Sequence, residues 1–283
     1  MDGILREKLA YLEEILRSFS SAIVSYSGGV DSTLLAVMAR WILGDSMVAV
    51  IIDSPLLPSR EMDRAVRLSG ELAFSLRSMR LDEPSQAGIR YNPRNRCYLC
   101  KRQRLLSIKE MALEEGFREV LDGLNRDDDV RHRPGGKALE ELGVRSPLRE
   151  AGLAKPEIRA VAADLGLPNW DAPSRPCLAT RLPYGMELHP DLLHRVNAAE
   201  EMLEGLGVGQ VRVRLVARDT ARIEVERGEM GILTGKDKRD TLVKKMVELG
   251  FRCVLLDLEG YRSGSMDENG GSVRSQIIYA AEG

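Results

Sequence analysis

The sequence is short of several things, and each shortage excludes something. Neither charge sign dominates its 283 residues. Forty-one Lys and Arg stand against 43 Asp and Glu, for a formal net charge of −2. That balance argues against a broad electrostatic grip on nucleic acid, leaving room only for a local basic patch. No apolar run approaches the roughly 20 residues a helix needs to cross a bilayer, so no membrane partner is expected. The start, "MDGILREKLAYLEEILRSF", is amphipathic and carries acidic residues, unlike a signal peptide, and a cytoplasmic protein is expected. Histidine is scarce, and His132, His189 and His194 show no metal-ligand spacing among themselves; they read as surface residues or helix caps. Only four cysteines are present, Cys97, Cys100, Cys177 and Cys253. In a reducing compartment they are not expected to form structural disulfides. The ATP-binding pattern G-x-x-x-x-G-K-[ST], with its phosphate-gripping lysine, is also missing.

What is present alternates. Apolar residues recur at helical spacing over residues 3–18, and "AIVSYS" is a short β-rich run ending at glycine. A helical pattern returns over 31–43, and "MVAVIIDS" reads as a buried parallel strand. A helix starting near Pro58, a strand in "FSLRSMRL", a helix over 98–115, a strand in "EVLDGLN" and a short helix in "PEIRAVAADLG" follow. Strands alternating with helices predict an α/β fold, a parallel sheet with helices on both faces. Ligands of such sheets bind beyond the carboxyl ends of the strands. The texture changes near "RLPYGMELHPD". Beyond it come a helix (189–206), a hairpin of "QVRVRLVA" and "ARIEVER", a helix (236–249) and a strand in "FRCVLLDL". The expected domains are therefore residues 1–186 and a smaller α+β domain over 187–283. The glycine-rich "SMDENGGS" reads as a loop.

Beyond the first strand lies "SYSGGVDS". Gly28 and Gly29 let several N–H groups converge on one anion. Asp31, Ser32 and Thr33 then open a helix, whose N-terminus favours negative charge. Ser27 and Ser32 can donate hydroxyls to phosphate oxygens. Asp31 is odd beside an anion unless it works through Mg²⁺. The bland alternative is a glycine turn with no ligand. The six-residue pattern, set between a β run and a helix, makes a phosphate cradle the better reading.

"RNRCYLCKRQR" places Cys97 and Cys100 at the head of a basic helix, and Arg94, Arg96, Lys101 and Arg102 make a setting suited to thiolate chemistry. Three readings stand. Zinc would want four ligands, with Cys253 as the fourth, although Cys253 lies in an apolar run and reads as a buried free thiol. A dithiol redox pair would lack a thioredoxin-like setting. A 4Fe–4S cluster held by Cys97, Cys100 and Cys177 would leave one iron open to an exogenous ligand such as sulfide, where four-cysteine ligation is usual. In "QVRVRL", Arg212 and Arg214 alternate onto one strand face, which suits a phosphate. The bland alternative is a charged face with cross-strand ion pairs.

"YSGGVDS" resembles the signature of the PP-loop ATP pyrophosphatases, which cleave ATP between the α- and β-phosphates. "RCYLCK", "VLDGLNRDD", "RPGGKALEELGVRSPL", "RPCLATRLPYG", "VRVR", "ARIEV" and "LDLEGYRSGSM" extend the likeness over nearly the whole chain. Together they resemble the LarE family of ATP-dependent pyridinium dicarboxylate sulfur transferases, which contribute to the nickel-pincer nucleotide cofactor. The resemblance implies ATP and Mg²⁺ as cofactors and a pyridinium mononucleotide as substrate. A carboxylate would be adenylated, releasing pyrophosphate, and then converted to a thiocarboxylate. Asp53 and Ser54 would meet adenine. Gly123 would permit close approach to the nucleotide, and Asn125, Asp127 and Asp128 would bind ribose or metal. Arg212 and Arg214 would hold the substrate phosphate, with Glu200 and Glu224 around a divalent ion. Arg181 and Tyr184 would face the substrate beside Cys177. One branch of the family spends the cysteine at the position of Cys177 as its sulfur source. The presence of Cys97 and Cys100 matches the other branch, in which a three-cysteine 4Fe–4S cluster carries the sulfide. The resemblance further implies a homo-oligomer, a sulfide donor as partner and no nucleic-acid partner. Rival readings are a PP-loop tRNA thiolase, an amidating relative of NAD or GMP synthetase, and a non-enzymatic nucleotide or iron–sulfur sensor.

Overall fold

The computed structural model describes residues 3–128, 134–173, 176–262 and 277–280. His132, residues 174 and 175 of the Cys177 stretch, and the expected loop over 265–272 lie outside them. The chain forms two compact units, Met1–Glu83 with Arg94–Arg175, and Pro84–Pro93 with Pro176–Gly283.

In the first unit the elements run α1 (Gly3–Arg17), β1 (Ala22–Tyr26), α2 (Val30–Leu43), β2 (Met47–Asp53), α3 (Ser59–Glu71) and β3 (Leu76–Arg80), then α4 (Arg96–Glu115), β4 (Glu119–Asp122), α5 (Pro134–Leu142), α6 (Pro147–Glu150) and α7 (Lys155–Asp164). The four strands form one parallel sheet in the order β3-β2-β1-β4. Consecutive strand residues point to opposite faces, and both faces of β1 are covered. Ala22, Val24 and Tyr26 join a core with Leu12, Leu16, Leu34 and Leu35 from α1 and α2. Ile23 joins a second core with Leu105 and Ile108 from α4. Burial on both faces is why β2 reads as an unbroken apolar run. The sheet is the expected parallel, helix-covered one.

In the second unit, α8 (Pro190–Gly205), β5 (Val211–Ala217), β6 (Thr220–Val225), α9 (Met230–Thr234), α10 (Lys236–Glu248), β7 (Cys253–Leu256) and β8 (Ile277–Ala280) follow one another. The sheet order is β5-β6-β7-β8, antiparallel except for β6–β7. The division at 175/176 falls ahead of the texture change used to expect a boundary at 186/187, and Pro84–Pro93 is counted with the later residues. Hydrogen bonding explains that segment. Asn92, fully buried at φ +46°, donates from Nδ2 to the carbonyls of Ala179, Leu182 and Pro183 at 3.2, 2.8 and 3.0 Å. The N–H groups of Gly185 and Leu188 donate back to the carbonyls of Asn92 and Arg90.

Candidate active site

Where β1 ends, Gly28 adopts φ +74°, a left-handed shape that costs other residues strain. The turn is braced by its own hydroxyls. Ser27 Oγ and Ser32 Oγ lie 3.1 Å apart, the Ser27 N–H donates to Ser32 Oγ at 3.2 Å, and Ser32 Oγ donates to the Gly29 carbonyl at 3.1 Å. Asn169 Nδ2 anchors the loop from behind by donating to the Gly28 carbonyl at 3.0 Å and to Thr33 Oγ1 at 2.9 Å. Thr33, expected among the nucleotide contacts, is instead fully buried and shared between Asn169 and the Tyr26 hydroxyl. It holds the loop from inside. Burial raises the pKa of the Tyr26 phenol, against the opposing pull of the Thr33 bond and the Arg64 charge.

A cleft of about 260 Å³ opens beyond the strand ends. Ser27, Asp31 and Ser32 line it from the loop, Gly123, Leu124 and Asp128 from the turn after β4, and Lys101 and Arg104 from α4. Gly123 meets the head of α2 directly. A Cβ there would stand 3.0 Å from the Ser32 nitrogen and 3.1 Å from its Cα. The close approach expected of this glycine is therefore to the Ser32 backbone. Asp53 is exposed at the end of β2, whereas Ser54 is buried and its hydroxyl donates to Glu83 Oε2. Glu83 is itself completely buried and takes Arg104 Nε on its other oxygen at 2.5 Å. Asn125 Oδ1 accepts from the Asp127 N–H at 2.9 Å, and Asp127 Oδ2 accepts from the Lys155 N–H at 2.8 Å. Of the lining residues, Lys101 is paired with Asp122, and Asp31 is paired with Lys155, which stands behind it. Lys101, Arg104, Glu83, Asp122, Lys155 and Asn169 were not singled out as site residues from the sequence. Lys155 carried a signal, since it directly precedes Pro156 at a helix start.

Cys97 is exposed and Cys100 buried, one turn apart at the head of α4. An Arg96 N–H lies 3.6 Å from the Cys97 sulfur. Cys177 is half-buried in the second unit, just before a helical turn over Leu178–Arg181. Cys253 is half-buried at the start of β7 and free, less enclosed than its apolar run implied.

Arg181, expected to face substrate, is completely buried. Its Nε and Nη2 donate to the two oxygens of Glu200 at 2.8 and 3.1 Å. Nη1 donates to the Pro176 and Cys177 carbonyls and to Thr180 Oγ1. This donor set holds the backbone that carries Cys177, so Arg181 is a positioning residue. Glu200 also accepts from the Val213 N–H at 3.0 Å. Burial works to raise the Glu200 pKa, but the Arg181 charge and hydrogen bond, the Val213 N–H and the Arg212 charge outweigh it, and the net shift is downward. Arg214 donates to Glu224 at 2.7 Å and to the Thr180 carbonyl at 2.7 Å, and Arg222 donates to the same Glu224 oxygen at 2.9 Å. Arg212 is buried, with its guanidinium 5.3 Å from the centre of the Tyr261 ring. Tyr184 is half-buried in the turn after Pro183. The divalent-ion role expected of Glu200 and Glu224 does not fit these contacts, because arginines already neutralise both carboxylates. Among the described residues, no three metal-ligating side chains come together.

A family model described as NAD synthase matches residues 4–96, the part that carries the loop and the first three strands. An uncharacterized protein of Synechocystis is 39% identical over 93% of this chain and 98% of its own length. The pyridinium-3,5-bisthiocarboxylic acid mononucleotide synthase of Lactiplantibacillus plantarum is 38% identical over 93% of this chain and 95% of its own. The chain belongs to the LarE family. A glutamine-hydrolyzing GMP synthase polypeptide from Thermoplasma acidophilum is 27% identical over 69% of this chain and 68% of its own length. That more distant likeness fits a PP-loop fold shared beyond the LarE family. No helix among the described residues is long and apolar enough to cross a membrane.

Proposed function

We propose that this protein is an ATP-dependent sulfur transferase acting on a pyridinium mononucleotide in nickel-pincer nucleotide cofactor biosynthesis. The observation that carries this reading is the 38% identity to the Lactiplantibacillus synthase over 93% of the chain. The lysine-free phosphate loop supports it from the geometry. In the first step a substrate carboxylate oxygen attacks the α-phosphorus of ATP. The bond to the bridging oxygen breaks and pyrophosphate leaves. In the second step sulfide attacks the acyl carbon and AMP leaves, giving the thiocarboxylate. A carboxylate is a poor electrophile, and adenylation supplies the leaving group that sulfur attack needs.

The Ser27–Ser32 turn and the N-terminus of α2 cradle the departing pyrophosphate. Lys101 and Arg104 offset its charge from α4. Asp31 would be the carboxylate for a Mg²⁺ ion, which would offset the polyphosphate charge. Asp53, Ser54, Asn125, Asp127 and Asp128 frame the nucleoside end. Arg212 and Arg214 hold the substrate phosphate, which replaces Glu224 as a partner. Cys97, Cys100 and Cys177 would be the ligands of a 4Fe–4S cluster, which would supply sulfide for the second step. The thiol chemistry of these residues suits that group. On this reading the protein works in the cytoplasm as a homo-oligomer with a separate sulfide donor.

A second reading has Cys177 itself surrender its sulfur and become dehydroalanine. The hold of Arg181 on the Pro176 and Cys177 carbonyls favours it, because that contact positions this one thiol by itself. Anaerobic purification with iron and sulfide assays, followed by mass spectrometry after turnover, separates the two. Bound iron with intact Cys177 is the expected result. Loss of H₂S from Cys177 in iron-free protein would overturn the cluster reading. Absence of acceptor-dependent pyrophosphate release would overturn both.

A further inference from the structure

The cations of the cleft are paired. Each cation named above that lines it or stands at its edge is held by a carboxylate: Lys101 by Asp122, Arg104 by Glu83 and Lys155 by Asp31. The third pair differs from the others in three ways. Asp31 lies in the phosphate loop itself, inside the first turn of α2. Neither partner is sealed, with side-chain exposures of 38% for Lys155 and 22% for Asp31, so the pair can separate without opening the core. The Lys155 backbone is pinned independently, because its N–H donates to Asp127. The side chain can therefore swing from a fixed root.

We propose that Lys155 is an exchange cation for Asp31. In the empty cleft its ammonium neutralises the carboxylate and keeps it from binding a divalent ion. When the polyphosphate enters, the ammonium transfers to phosphate oxygens, which offer more negative charge than one carboxylate. Asp31 is thereby released to the metal that arrives on the nucleotide. Metal binding is then conditional on nucleotide. The inference rests on the reading of the cleft as an ATP site and names the residue that couples nucleotide to metal.

The test uses the full chain, Mn²⁺ followed by electron paramagnetic resonance, and α,β-methylene ATP as the nucleotide. Wild-type protein takes up Mn²⁺ only with the analogue. Lys155→Met takes up Mn²⁺ without nucleotide, about tenfold more tightly than wild type, and binds the analogue about tenfold more weakly, as loss of one charge-assisted contact predicts. Lys155→Arg keeps the wild-type pattern, and adding Asp31→Asn to Lys155→Met abolishes the nucleotide-free uptake. A purely structural role for Lys155 would not create a metal site. Unchanged nucleotide-free Mn²⁺ uptake in Lys155→Met, with wild type still binding the analogue, overturns the proposal alone. Failure of wild type to bind the analogue at all overturns the ATP-site reading beneath it.

Discussion

Gly123 and Arg181 show how single residues set the two halves of the chemistry. Gly123→Ala places a methyl 3.0 Å from backbone, where no flexible side chain can yield. Overpacking of this kind costs about 1–3 kcal/mol. The helix head that must move carries the proposed phosphate cradle, so nucleotide affinity should fall along with the thermal midpoint, as calorimetry and ligand titration would show. Arg181→Met strips the bidentate arginine from a carboxylate with no exposure, leaving it the Val213 N–H and the Arg212 charge. A buried charge left alone costs about 3–5 kcal/mol. The double change Arg181→Met with Glu200→Leu recovers much of that loss in a urea titration. It does not restore Cys177 positioning, read as the rate at which that thiol is alkylated. The pH dependence has a definite sign. The Glu200 pKa is lowered on folding, so its contribution is present above the unfolded-state pKa and is lost as pH falls through the folded one. Acid unfolding of Glu200→Gln should therefore be less steep below the ordinary glutamate range than that of wild type.

Helix α7 shows how an element places a functional side chain. The Glu157 carboxylate accepts from the Ala154 N–H at 2.7 Å and from Lys8 Nζ at 2.6 Å, and Pro156 sits in the first turn. The result fixes the backbone from which the Lys155 side chain extends. Glu157→Ala should cost about 1 kcal/mol, the worth of a helix cap, and loosen the Lys155–Asp31 pair, seen as a lower urea midpoint and weaker analogue binding. The start of α7 was legible because Pro156 marks it. The strands β1, β2 and β4 were legible because burial on both faces leaves apolar runs. Helix α5 was not, since two glycines, weak helix formers, follow its opening proline in "RPGGKALEELG". The glycine turn between β1 and α2 was legible because its signal is local in sequence. The pairing of Ser54 with Glu83 and Arg104, and the enclosure of Thr33 by Asn169, were not. Such contacts join residues 29 and 136 positions apart, a separation that no local pattern encodes. The arginines of β5 were legible as a pair on one strand face, but not as buried, because alternation signals which face and not what covers it.

At the scale of the whole molecule, the thiols are divided between the two compact units, Cys97 and Cys100 in one and Cys177 in the other. Among the described residues, those that line the proposed nucleotide cleft belong to the first unit. That division predicts separable defects. Cys177 is not among the described residues that line the cleft, so analogue affinity of Cys177→Ser should stay within about twofold of wild type, a difference of about 0.4 kcal/mol. Cys97→Ser should behave alike, because its side chain is exposed. Cys100→Ser puts a hydroxyl in a buried position one residue before Lys101, so a modest loss of stability joins the chemical defect. On the proposed cluster reading, all three should lose iron and thiocarboxylate formation together while adenylation persists, measured as acceptor-dependent pyrophosphate release. Asp31→Ala should do the reverse, abolishing pyrophosphate release while iron content is kept. If Cys97→Ser and Cys100→Ser retain full thiocarboxylate formation and only Cys177→Ser loses it, the sulfur comes from Cys177 itself.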